Sequence, residues 1–170
     1  MQLRLLFATP DPASLQLFET LLHSALELTP LEVAAGHVGD MEALLSRVEA
    51  GEDDIILVDW LLAVEGTPGL VREIVRRNPR LRIVALLPQS YRQYRREVWQ
   101  AGACSSIAKE NMEQEWLSSV LCIMHRAMER EARLIASLGG SIDVVTPSDA
   151  QCCGQAETLP TSERGQNGKS

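Results

Sequence analysis

Five short aliphatic runs, each followed by a stretch at helical spacing, constrain this chain more than any other feature. The runs are Leu3 to Ala8, Leu31 to Ala35, Ile55 to Asp59, Leu81 to Leu87 and, more weakly, Cys104 to Ala108. They are nearly continuous rather than alternating, as strands of a parallel sheet covered on both faces must be. Helices are predicted from about Ala13 to Leu28, from Gly39-Asp40 through Ala50, from Leu70 to Arg77, from Tyr91 to Ala101 and from Glu110 to about Leu138. Pro30, Gly51, Asn78-Pro79 and Gly102 supply the stops. Gly36 is read as the end of the second strand, and Gly66, Pro68 and Gly69 as a loop. Strand–helix alternation with right-handed crossovers predicts an α/β fold: a doubly wound, five-stranded parallel sheet with an extended last helix.

In such sheets, sites form at the carboxyl ends of the strands. The segment Asp53-Asp54-Ile55-Ile56-Leu57-Val58-Asp59-Trp60 places a carboxylate at such an end, where an unpaired buried charge is costly. Thr9 to Asp11, Leu87-Pro88 and Ala108-Lys109 fall at the same edge.

The 170 residues and 45% apolar content suit one domain with a tail. Residues 1–126 are read as the domain, 127–140 as an extension of the last helix, and 141–170, rich in Gly, Ser, Thr, Gln and Pro, as a flexible tail. No apolar run approaches the roughly 18 residues of a membrane span. No secretory pattern opens the chain, and a cytoplasmic location is expected. Cys104, Cys122, Cys152 and Cys153 lack metal-site spacing and are read as reduced thiols. His23, His37 and His125 form no catalytic pattern, and no Gly-rich phosphate loop follows the first strand.

The pieces resemble, in order, the receiver domain of bacterial two-component response regulators, a flavodoxin-like (βα)5 fold. The resemblance covers about Leu3 to Arg126. It is carried by Asp59 after Ile55-Ile56-Leu57-Val58, by the run Asn78-Pro79-Arg80-Leu81-Arg82-Ile83-Val84-Ala85-Leu86-Leu87, and by Gly102 through Lys109. It implies a phosphorelay in which a histidine kinase phosphorylates Asp59. Mg²⁺ would be held by Asp59 and an acidic pair after the first strand. A hydroxyl ending the fourth strand, together with Lys109, would contact the phosphoryl oxygens. The acidic pair falls on Thr9 and Pro10, leaving only Asp11 as a poor metal ligand beside Asp59, and the hydroxyl position is Leu87. Leu62-Ala63 replaces the family's Met-Pro, and its glycine is displaced to Gly66 or Gly69.

The resulting expectation is a stand-alone atypical receiver, or pseudo-receiver, that is no enzyme and signals by protein–protein interaction. Asp59 is then a vestigial or weak phosphoacceptor paired with Lys109, and Mg²⁺ binds weakly only if the site is phosphorylatable. One alternative keeps Asp59 as a working phosphoacceptor. Another is a small α/β ligand-binding module or enzyme using the cleft between Thr9, Asp59 and Lys109.

Two stretches suggest partner contact. Eight arginines (Arg72, Arg76, Arg77, Arg80, Arg82, Arg92, Arg95 and Arg96) crowd one window of a chain whose net charge is −7. There Arg92, Arg95 and Arg96 accompany Tyr91 and Tyr94, which points to an acidic protein partner rather than nucleic acid. In the last helix, Leu117, Leu121, Met124, Met128, Ile135 and Leu138 recur near heptad spacing; the first half should pack on the sheet and the second, Ala127 to Leu138, project as a docking stripe or homodimer seam, with Met124, Met128 and Ile135 as partner residues. Trp60, Trp99 and Trp116 are read as core or edge residues.

Overall fold

The computed structural model describes residues 2–139. Within it five strands and five helices alternate: β1 (Leu3–Ala8), α1 (Pro12–Leu28), β2 (Val33–Val38), α2 (Met41–Ala50), β3 (Ile55–Asp59), α3 (Thr67–Arg77), β4 (Arg82–Leu87), α4 (Arg95–Gln100), β5 (Ser105–Ala108) and α5 (Gln114–Gly139). The sheet is parallel throughout in the order β2-β1-β3-β4-β5. No helix among the described residues is long and apolar enough to cross a membrane. The expected tail at 141–170, with Cys152 and Cys153, lies outside the described residues.

Each strand sends successive side chains to opposite faces, and both faces are covered. On one side Leu6, Ile56, Val58, Ile83 and Ala85 pack with Leu44, Val48, Leu70, Val71, Ile74 and Val98 of α2, α3 and α4. On the other, Leu5, Phe7, Ile55, Leu57, Val84 and Leu86 meet Phe18, Leu22, Leu117 and Leu121 of α1 and α5. Phe7 and Phe18 stack at 5.2 Å between centroids. This two-sided burial explains why the strands read as unbroken aliphatic runs.

The boundaries shift where backbone chemistry outweighs pattern. β2 runs through Gly36 instead of ending there, pairing in register with β1 up to Ala8↔Val38. A Cβ on Gly36 would sit 3.3 Å from the Arg47 guanidinium, so the glycine admits Arg47 rather than stopping the strand. α3 begins at Thr67, because Pro68 is tolerated in a first turn where no amide partner is required. The predicted helix Tyr91–Ala101 is split into a 3-10 segment, Gln89–Tyr94, and a six-residue α4, with Tyr91 kinked at φ −109°, ψ 18°. α5 starts at Gln114 because extended Met112 turns into the α1/α5 core. Gly102 has φ +112°, and a Cβ there would meet Val75 at 2.8 Å, so this turn takes only glycine.

Candidate functional site

β1, β3 and β5 bring three predicted residues together at the carboxyl edge of the sheet. Asp59 ends β3 with no solvent exposure. Its Oδ2 accepts hydrogen bonds from Thr9 Oγ1 at 2.8 Å and Lys109 Nζ at 2.7 Å, while Oδ1 accepts from Leu61 N–H at 3.1 Å. Thr9 is itself fully buried, and its Oγ1 in turn accepts from Asp11 N–H at 3.2 Å. His37 Nε2 donates to the Thr9 carbonyl at 2.9 Å. The buried carboxylate is thus neutralised by one ammonium and oriented by a hydroxyl and a backbone amide, the arrangement that makes a buried charge tolerable.

Asp11 has another task. It caps α1, accepting from Ala13 N–H, Ser14 N–H and the Ser14 hydroxyl. The Ser14 hydroxyl foremost, with these amides and the charge of Lys109, holds its carboxyl below the usual aspartate value. Asp11, expected as a poor metal ligand, caps the start of α1 with both of its oxygens. A hard divalent cation prefers several oxygen ligands. Here the neighbouring positions offer Thr9 and Pro10, and Asp59 already spends both oxygens on protein donors. The residues present do not fit Mg²⁺. No group of three or more His, Cys, Asp or Glu side chains is arranged for metal binding among the described residues. At the end of β4, Leu87 is 1% exposed and packs in the core, so no hydroxyl stands at that position.

The loop after β3 carries features that the sequence did not announce. Asp59 caps a 3-10 turn at Trp60–Leu62, and a second turn follows at Val64–Gly66. Val64 has φ +46°, a left-handed conformation that a β-branched residue adopts at a cost of about 1–3 kcal/mol. Trp60 is buried, and both tyrosines of the chain pack on it: Tyr91 stacked at 5.0 Å and Tyr94 tilted at 5.0 Å. Its indole N–H has no hydrogen-bond partner among the described residues.

Composition also marks the site. The chain has only two lysines, Lys109 and Lys169, so every other cationic side chain of Lys or Arg type is arginine. A chain that otherwise defaults to arginine keeps a compact, single-point ammonium beside Asp59.

The predicted partner residues separate. Arg92 and Arg95 line a groove of about 400 Å³ with Gln89, Ser106, Asn111 and Trp116; Arg96 does not line it. Arg95 donates to the Ser106 hydroxyl and carbonyl at 3.3 Å each and lies over the Trp99 ring. The broader basic window is not one face. Arg76 and Arg77 pair with Glu73, Arg77 also with Glu49, and Arg82 with Glu131. Arg76 and then Arg77 hold the Glu73 carboxyl down at about 2. On α5, Met124 is buried in the α1/α5 core, which removes it from the predicted docking stripe. Met128 is half-buried against that core, and Ile135, 65% exposed, remains on the surface.

No family model and no curated protein matches the sequence. The fold, by contrast, has solved counterparts. The receiver domain of the sensor histidine kinase PA1611 from Pseudomonas aeruginosa, which carries a magnesium ion in its active-site cleft, aligns over 74% of this chain and 97% of its own, with 23% identity and a TM-score of 0.57. A two-component response regulator from Clostridium difficile aligns over 75% and 98%, at 17% identity and 0.59. A CheY-like protein (tadZ) from Pseudomonas aeruginosa aligns over 72% and 98%, at 19% identity and 0.54. The chain is therefore similar in architecture to receiver domains, and its fold is the flavodoxin-like (βα)5 sheet.

Proposed function

We propose that this receiver-type fold serves as a signal-transduction module of the two-component kind that works by protein contact and does not depend on phosphorylation. The observation that carries the reading is the engagement of both Asp59 oxygens by protein donors. Thr9, Lys109 and the Leu61 amide occupy both of its oxygens, and the positions that would complete a metal site hold Thr9, Pro10 and a committed Asp11. Phosphoryl transfer to a carboxylate needs charge neutralisation of the transferring group. Here one ammonium is available, and it is already engaged by the acceptor itself.

Asp59 and Lys109 then act as a structural latch across β3 and β5. A partner is met at the α4, β5 and α5 side, where Arg92 and Arg95 face solvent beside the half-buried Trp116. An acidic protein segment suits that surface, since no carboxylate lines the groove.

The test is titration with Mg²⁺ and beryllofluoride, a phosphoryl mimic, followed by tryptophan fluorescence. No saturable change is expected in the wild-type protein. A saturable change that disappears in Asp59→Ala would overturn the reading and establish Asp59 as a working phosphoacceptor.

A further inference from the structure

The amino edge of the sheet, at the far end from Asp59, holds a groove of about 520 Å³. Met128, Ala132 and Ile135 of α5 form its apolar wall, and Arg80 and Arg82, at the approach to β4, contribute its cationic part. Arg82 meets Glu131 at 2.8 Å and ties the outer part of α5 to the sheet. The other charges of the groove are balanced as well, Arg4 by Asp54 and Asp53 by Arg47. Arg80 is exposed and has no acidic partner among the described residues.

Past Glu131, α5 carries Leu134, Ile135 and Leu138, each more than half exposed. A helix end this short is marginal without packing, so this stretch calls for an apolar cover. A second copy is a poor candidate. Three side chains within about one and a half turns give a seam far below the roughly 1,200 Å² that a stable interface buries. The chain itself supplies a closer occupant. Beyond residue 139 its β-branched apolar residues are Ile142, Val144 and Val145 alone, with Asp143 among them. Gly139 and Gly140 precede them, and glycine admits the left-handed turn that reverses a chain at a helix end. The way back from residue 139 to Ala132 is about 10 Å along the helix axis, a span of about three or four extended residues.

We propose that the occupant of this groove is the segment Ser141–Val145 of the same chain, laid back along α5. Ile142 and Val144 pack on Met128, Ala132 and Ile135, and Asp143 supplies the acid that Arg80 lacks. β-branched residues favour the extended backbone this requires, and a tether of a few residues holds the segment at high effective concentration. The apolar stripe of α5 is then closed by its own chain, which leaves the groove at Arg92 and Arg95 as the open contact surface. The inference stands apart from the reading of Asp59, since the two sites lie at opposite edges of the sheet.

Disulfide trapping in the full chain tests it. With Cys104, Cys122, Cys152 and Cys153 replaced by serine, the pair Ala132→Cys/Val144→Cys is oxidised under mild conditions and followed by non-reducing electrophoresis and peptide mass spectrometry. Arg130→Cys/Val144→Cys is the control, because residue 130 lies on the opposite face of α5 at a similar separation along the chain. The Ala132 pair should close within one chain about fivefold faster or more, as docking raises the effective concentration of the two thiols. Arg80→Glu should slow that closure, and adding Asp143→Arg should restore it. Hydrogen exchange on the chain with its native cysteines is the second readout. Ile142→Ser/Val144→Ser should speed exchange at residues 132–138, while Leu159→Ser, farther along the chain, should not.

Closure rates of the Ala132 and Arg130 pairs within about twofold of each other would overturn the proposal, since a tethered but undocked segment gives that result. A disulfide formed mainly between chains would overturn it in favour of a second copy on α5. Exchange at residues 132–138 that is unchanged by Ile142→Ser/Val144→Ser would overturn it as well.

Discussion

Aspartates stand just before β3 and at its carboxyl end, and the two ends solve the same problem differently. At the amino end, Asp54 accepts from the Arg4 backbone N–H at 2.9 Å and from its guanidinium at 3.0 and 3.3 Å, with the Arg4 side chain 47% exposed. Asp53 is held by Arg47, at 2.9 and 3.3 Å. The Asp53 carboxylate is 4% exposed, but both arginines reach solvent, so water and salt compete for these pairs, most of all for Arg4–Asp54. At the carboxyl end, Asp59 is fully buried, its lysine is 19% exposed, and its third partner, Thr9, is buried as well. An ion pair of the first kind fastens a strand to its neighbours at little gain. One of the second kind is costly to form and more costly to break, because either partner left alone is a stranded charge. Their difference separates the edge that maintains the sheet from the edge that carries the candidate site.

The largest effect should come from stranding Asp59. Lys109→Met is expected to destabilise the fold by about 3–5 kcal/mol in urea unfolding, since it leaves a buried carboxylate without a cation. The double variant Asp59→Asn/Lys109→Met removes both charges and should recover a large part of that loss. If the single and double variants unfold at the same denaturant concentration, Asp59 is not the source of the cost and the contrast between the two ends of β3 collapses.

Thr9→Val should rank next. It keeps the side-chain shape, removes the hydroxyl donor to Asp59 Oδ2, and leaves a charged acceptor one bond short, at a cost of about 1–3 kcal/mol. A loss below about 0.5 kcal/mol, the size of an ordinary surface substitution, would mean that water replaces the hydroxyl and that the carboxyl edge is wetter than its burial implies.

Arg4→Met probes the other end and should cost no more than about 1 kcal/mol, with the difference shrinking further in high salt. A salt-independent loss as large as that of Lys109→Met would show that the amino end is built as rigidly as the carboxyl end.

What the sequence disclosed about these ends follows from the kind of physics each residue depends on. The strands, their order along the chain and the convergence of Asp59 with Lys109 were legible because two-sided burial writes itself as continuous aliphatic runs. Thr9 was legible as a departure from an acidic position, but its role as a donor to Asp59 was not, because a hydroxyl's partner is set by register between β1 and β3. The left-handed Val64, the stacking of Trp60 with Tyr91 and Tyr94, and the bond from Gln89 to Glu110 depend on how loops from different strands meet, and no local period records that. Met124, grouped with the partner residues, lies in the core, because heptad spacing marks an apolar stripe without saying where along α5 the core stops.

The smallest expected effect is one of pH, and it too divides the two edges. At the amino end, Asp54 and Asp53 raise the already high guanidinium values of Arg4 and Arg47. Stability from a raised value is present below the unfolded value and lost only as pH rises through the folded one, beyond the already strongly basic arginine range, so it stays constant across the working range. At the carboxyl edge, Asp11 is held below its ordinary value of 3.8, chiefly by Ser14. A lowered value has the opposite sign. Its contribution is complete above the unfolded value and fades as pH falls from 3.8 through the folded value. Asparagine also caps helices but carries no charge. The stability difference between wild type and Asp11→Asn, followed by thermal unfolding from neutral pH downward, should therefore hold steady to about pH 4 and then close. A difference that persists unchanged in acid would mean that the charge of Asp11 contributes nothing to the start of α1, and that the carboxyl edge draws its electrostatic character from Asp59 alone.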